Sequence, residues 1–245
     1  MFASLLTYVL FVTAALARPN PRLEARLARR AAGSHLSSPR LPSNGPAALA
    51  SNVTNAEFSS NWAGASFESP AGTYKAVTGT FVVPSPTAPS GGSGTFAASA
   101  WVGIDGDTCG SAILQTGIDF TVSNGRVSYD AWFEYFPAFA TDFTGITIAA
   151  GNTIKLTATV ASATSGSVTI ENVSTGVTVS KALTSSARLC QENAEWIVED
   201  FEEGNSLVPF ADFGTVTFTN AVATLNSKVL TSVSTSSSSV TVQYV

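Results

Sequence analysis

The sequence predicts an all-β protein, an antiparallel two-sheet β-sandwich. Three observations predict it. From residue 51 onward, Thr, Val, Ser, Ile and Phe alternate in short runs, the pattern of half-buried strands. Gly, Asn and Ser cut those runs at short intervals. No helical period appears beyond the first 50 residues. Short strands of this kind each leave an apolar face to bury, and two packed sheets bury both.

Residues 1–17 read as a signal peptide, an apolar run ending in Ala15-Leu16-Ala17, a small-x-small cleavage pattern. The run is short for a membrane span, and no later stretch would stop transfer. The chain is therefore expected to be secreted and extracellular, with no membrane partner. Residues 18–54 read as a basic propeptide. Between 18 and 50 stand six arginines, one acid (Glu24), the only histidine (His35) and no aromatic residue. Such a segment buries too little apolar surface to fold alone. Residues 55–245 remain as one folded domain, long enough for its own core and expected to be a monomer. Of 12 bases, 6 lie beyond residue 50; of 17 acids, all but Glu24 do, giving −10 there against +5 in the arm. An acidic body repels nucleic acid. A basic arm suits it as an electrostatic clamp.

Within the domain, Thr153 to Val160, Ser167 to Glu171 and Val177 to Leu183 alternate between turns, an antiparallel meander. Ser239 to Val245 is a closing strand. Pro84 to Gly94, rich in Pro, Gly and Ser, reads as a flexible excursion within the domain. Cys109 and Cys190 are the only cysteines. In a secreted chain they read as a disulfide, closing 81 residues. Asn52-Val53-Thr54 and Asn172-Val173-Ser174 are glycosylation sequons.

The domain has no histidine, which removes Ser-His-Asp and Cys-His nucleophile systems and histidine-ligated zinc. No phosphate-binding glycine loop and no Asp-Thr-Gly or Asp-Ser-Gly occurs. Carboxylates, amides, hydroxyls and phenols remain, so an enzyme here works by acid/base catalysis, with no metal or cofactor expected.

Three segments break the apolar-in, polar-out pattern. In Ala112 to Phe120, Gln115 and Asp119 share one strand face, and Leu114, Ile118 and Phe120 the other. In Tyr129 to Pro137, Asp130, Trp132, Glu134 and Phe136 share a face. Charged and aromatic residues alternating on one face fit a groove. In Asn193 to Glu202, Glu195 and Glu199 fall on one face with Ile197, and alternation does not choose between them. A Cys109–Cys190 bridge would hold the starts of the first and third segments together.

At these residues the sequence resembles the glutamic peptidases, or eqolisins, pepstatin-insensitive acid endopeptidases chiefly of fungi. The matching runs are Ser60 to Ala65, Ala100 to Cys109, Ala112 to Asp119, Tyr129 to Glu134, Asn193 to Glu202 and Val208 to Phe213. The resemblance spans about residue 57 to the C-terminus. It implies a concanavalin-like jelly roll, a catalytic glutamine at Gln115 and a catalytic glutamate at Glu199. It places Trp101, Asp105, Asp119, Asp130, Trp132, Glu134 and Phe136 in or behind the substrate groove. Phe136 departs from the family pattern, where a tyrosine stands. Relatives cut into two chains carry a basic loop; Pro84 to Gly94 has no Lys or Arg, so one chain is expected.

The resemblance implies that Glu199 and Gln115 activate a water against a peptide bond, with proteins or peptides and the chain's own propeptide as partners. Two other classes use the same residues: a glycosidase built on Glu134 and Glu199, and a carbohydrate-binding sandwich without catalysis.

Overall fold

A computed structural model describes residues 35–44, 57–204, 206–225, 229–230 and 239–244. The expected signal peptide, most of the basic arm and Asn52 lie outside them. The described residues are strands and connections, with no helix.

In chain order the strands are β1 (His35–Leu36), β2 (Trp62–Glu68), β3 (Tyr74–Val82), β4 (Thr95–Ile104), β5 (Ile113–Ser123), β6 (Arg126–Phe136), β7 (Thr141–Asp142) and β8 (Thr153–Ser162). There follow β9 (Ser165–Asn172), β10 (Val177–Thr184), β11 (Asn193–Glu199), β12 (Glu202–Glu203), β13 (Ser206–Leu207), β14 (Thr215–Leu225), β15 (Val229–Leu230) and β16 (Val240–Gln243). One sheet runs β2-β11-β4-β5-β6-β7; the other runs β10-β9-β8-β3-β14-β15, with β16 also on β14. Every pairing between these strands is antiparallel. The expected meander is β8-β9-β10, and its first turn shrinks to Ala163-Thr164.

Alternation explains the packing. Leu114, Ile118 and Phe120 of β5, Ala194, Trp196 and Val198 of β11, and Val102 and Ile104 of β4 join one buried cluster with Val77, Phe81, Leu156, Ile170 and Phe218 of the facing sheet. Trp196 crosses the interface, its indole N–H donating to Thr78 O at 2.8 Å. Its buried polar atom is thereby satisfied. The outer face of the second sheet carries Thr and Ser in hydroxyl pairs, Thr78 with Thr157, Thr169 with Ser180 and Thr217 with Thr241.

The Pro84 to Gly94 excursion is anchored where a free loop was expected. Thr87 and Asp212 exchange two backbone hydrogen bonds, at 2.7 and 3.0 Å, and Tyr129 Oη donates to Pro84 O at 2.8 Å. The Asn172 sequon is likewise corrected. Asn172 is fully buried, and its Nδ2 donates to Thr147 O and Asn152 Oδ1 at 2.9 and 3.0 Å. The nitrogen that would carry a glycan is committed inside the sandwich.

Candidate active site

The opposite residues of the same strands form a second layer on the far face of the first sheet. Trp62, Trp101, Ile113, Trp132, Ala140 and Ile197 cluster there, with Phe136 packed against them. Among them stand Gln115, Asp119, Glu134, Glu195 and Glu199, each at most 1% exposed. Register assembles the site. Gln115 pairs with Gly103 and Glu134, and Glu199 with Ser99 and Trp62. Glycines at 103 and 117 leave room between the large rings: a Cβ on Gly117 would come within 2.6 Å of Trp101 Cβ and 2.8 Å of Trp132 Cζ2.

Residues 35–41 lie across this face. The Ser37–Ser38 peptide unit sits between the two implied catalytic groups. Gln115 Nε2 donates to Ser37 O at 3.0 Å, and Ser38 N–H donates to Glu199 Oε1 at 3.1 Å. The Ser37 N–H donates to Glu134 Oε2 at 3.1 Å, and Trp62 Nε1 donates to Ser38 O at 3.0 Å. Asn61 grips the next residues, donating to Pro39 O and accepting from Leu41 N–H at 3.1 and 2.8 Å. Upstream, β1 pairs with β12, and the His35 ring lies 4.3 Å from Phe201 and 5.4 Å from Trp132, with Nδ1 3.7 Å from Asp119 Oδ2. Downstream, Arg40 bridges Asp107 and Glu57. Ser37 and Ser38 are buried by this docking.

The implied groove residues divide on inspection. Trp101 donates through Nε1 to Glu199 Oε2 at 2.9 Å and so orients that carboxyl. Trp132 donates to Ser99 Oγ at 3.0 Å and forms a wall. Glu134 and Asp119 face the docked segment, Phe136 borders the aromatic layer, and Asp130 is half-buried opposite Asp119 in register. Asp105 stands behind the groove. Its carboxylate accepts the N–H groups of Gln191, Glu192 and Asn193 at 2.8, 2.9 and 3.2 Å. It ties the segment after Cys190 to the end of β4 and does not face the peptide unit. Cys109 and Cys190 are bonded, with Cα atoms 6.2 Å apart.

Burial dominates the electrostatics. It lifts Glu199 to about 8, against the pull of hydrogen bonds from Ser37, Trp101, Trp62 and Ser38 that favour the ionised form. It also lifts Glu134 well above the usual carboxylate range; the Ser37 N–H opposes this, while the charges of Glu199 and Asp119 add to it. Glu195 is raised well above that range too, by burial and then by Asp105 and Asp107.

Sequence reasoning missed Trp62, Asn61 and residues 35–41. Trp62 and Asn61 lay inside a matching run without a role. Residues 35–40 looked only like part of a charged arm, because backbone hydrogen bonding leaves no mark in composition.

Comparison with known proteins agrees with this geometry. A family model described as Peptidase A4 family matches residues 60–244. Aspergillopepsin-2 of Aspergillus niger is 47% identical, over 100% of this chain and 99% of its own. Scytalidopepsin B of Scytalidium lignicola is 47% identical, over 71% of this chain and 66% of its own. Among solved structures, scytalido-glutamic peptidase with a transition state analog inhibitor is similar at a TM-score of 0.68 and 40% identity, over 76% of this chain and 98% of that one. On a match that runs through both sheets and every residue gripping the Ser37–Ser38 unit from the domain side, the chain belongs to the Peptidase A4 family.

Proposed function

We propose that this chain is the precursor of a secreted acid endopeptidase that hydrolyses proteins and peptides with Gln115 and Glu199, as a monomer and without a cofactor. One observation carries the reading: a single peptide unit has its carbonyl oxygen on the Gln115 amide and its N–H on the Glu199 carboxyl. Those are the two atoms that change charge and protonation when an amide is hydrolysed.

In the mechanism, ionised Glu199 takes a proton from water, and the water oxygen attacks the carbonyl carbon. Charge builds on the carbonyl oxygen, where the Gln115 N–H stabilises it. Glu199 then gives its proton to the leaving nitrogen, and the C–N bond breaks. Trp101 holds the carboxyl for both transfers. Residues 18–54 act as a propeptide. Docked across Gln115 and Glu199, this segment keeps other substrates out until it is released. Trp101 and Trp132 are fully buried within the aromatic layer, which weighs against open platforms for a sugar ring.

The test is a peptidase assay at acid pH on denatured protein. Glu199→Gln, folded by circular dichroism, is expected to be inactive. Gln115→Ala is expected to lose about 100- to 1,000-fold in kcat, the range for an oxyanion donor. A folded Glu199→Gln enzyme with substantial activity would rule out the assignment.

A further inference from the structure

We infer that residues 35–40 are bound as a substrate, that Ser37–Ser38 is the bond this protein cuts in its own leader, and that the seats of His35 and Arg40 are specificity subsites. The first seat takes a ring three residues into the chain before the cut, counting Ser37 as the first. The second takes a cation three residues after it. The inference rests on the Gln115 and Glu199 reading.

Direction and register carry it. A segment that merely filled the groove could run either way or set a side chain between the catalytic groups. Here both ends of one peptide unit meet the two groups that act on them, carbonyl to amide donor and N–H to carboxyl. The flanking backbone is held on both sides, by Glu134 before the bond and by Trp62 and Asn61 after it. Upstream the Ala140 N–H donates to His35 O at 2.9 Å, and downstream the Arg40 N–H donates to Gly106 O at 3.0 Å.

The two seats are built differently. His35 is fully buried between Phe201 and Trp132, with Asp119 at its Nδ1 edge. That pocket fits a flat ring with a polar edge turned toward a carboxylate. Arg40 lies at the rim between Asp107 and Glu57, a seat for a guanidinium or ammonium group. The adjoining side chains, Ser37 and Ser38, are small, so the leader gains its hold from main chain and from these two outer positions. Cleavage adds water across the bond: the Ser37 carbonyl carbon gains the hydroxyl oxygen, and the Ser38 nitrogen keeps the proton relayed by Glu199.

The full-length precursor, incubated at acid pH in heavy-oxygen water and read by mass spectrometry, tests this. The expected products are a fragment ending at Ser37 with the label in its new carboxyl and one beginning at Ser38, neither formed by Glu199→Gln precursor. A synthetic peptide spanning residues 33–44, given to acid-processed enzyme, is expected to be cut at the same bond. Alanine in place of His35 or Arg40 in that peptide is expected to lower kcat/KM about tenfold, the scale of one charge-assisted contact. Cleavage of denatured protein with Ser37–Ser38 left whole, the peptide acting only as a competitive inhibitor, overturns the inference and leaves the peptidase reading standing. So does cutting at another bond within 35–40, or a peptide rate indifferent to both alanines. Failure to cut either substrate would sink the peptidase reading and this inference with it.

Discussion

At Glu199 two opposing influences meet. Burial favours the neutral acid, while the Trp101 indole N–H and the other donors favour the carboxylate. Trp101→Phe keeps most of the ring and removes that donor. The carboxyl then becomes a weaker acid, so the acid limb of the kcat/KM profile moves to higher pH. With one hydrogen bond to a charged group lost, kcat falls about tenfold; stopped assays across pH check both. Alternation put Gln115 and Asp119 on one face of their strand and Glu195 with Glu199 on one face of theirs, and in the sheet these are the same face, the one carrying the aromatic layer. It did not choose between the glutamates because both point to the same side. Position along the strand separates them: Glu199 meets the peptide unit, while Glu195 lies with Asp105 and Asp107.

Among the elements, β5 is buried along its whole length and carries the site on one side and the core on the other. Its glycine is the tight point. Gly117→Ala would bring Cβ to 2.6 Å from both Ala100 O and Trp101 Cβ. Overpacking there is expected to cost about 1–3 kcal/mol, visible as a lower urea midpoint and a displaced Trp101 fluorescence signal. The strands of the two sheets were legible because their side chains alternate. Strand β1 was not, since it is ordered by pairing with β12 and, just after it, by main-chain bonds to domain side chains. A sequon is equally blind to burial. Glycopeptide mapping of the protein expressed through a eukaryotic secretory host is expected to find Asn172 unmodified, as its amide nitrogen is already spent on Thr147 and Asn152.

At the scale of the whole molecule, acidity and stability are linked through the buried carboxyls. Glu134, Glu195, Glu199 and Asp200 are all raised by burial, Glu199 to about 8 and Asp200 to about 7. A raised carboxyl contributes stability that is complete below its ordinary value and is lost as pH climbs through the folded one. The full-length chain carrying Gln115→Ala, which slows any cut at Ser37–Ser38, is therefore expected to be most stable near pH 4 and to lose roughly 5–10 °C of Tm by pH 8. Scanning calorimetry across that range checks it, with a flatter curve for Glu199→Gln. The disulfide acts at the same scale. Replacing Cys109 and Cys190, which close 81 residues, is expected to cost about 4–5 kcal/mol in the chain-entropy account, read from denaturant midpoints. The second sheet turns the problem of acid around. Its exterior is laced by hydroxyl pairs such as Thr78 with Thr157 and Thr217 with Thr241, groups with nothing to gain or lose as protons become abundant. A sour medium meets mostly hydroxyls on that wall, with Glu171 opposite Lys155 among its few charges, so the sheet farthest from the chemistry has little to lose while the working face changes its charge.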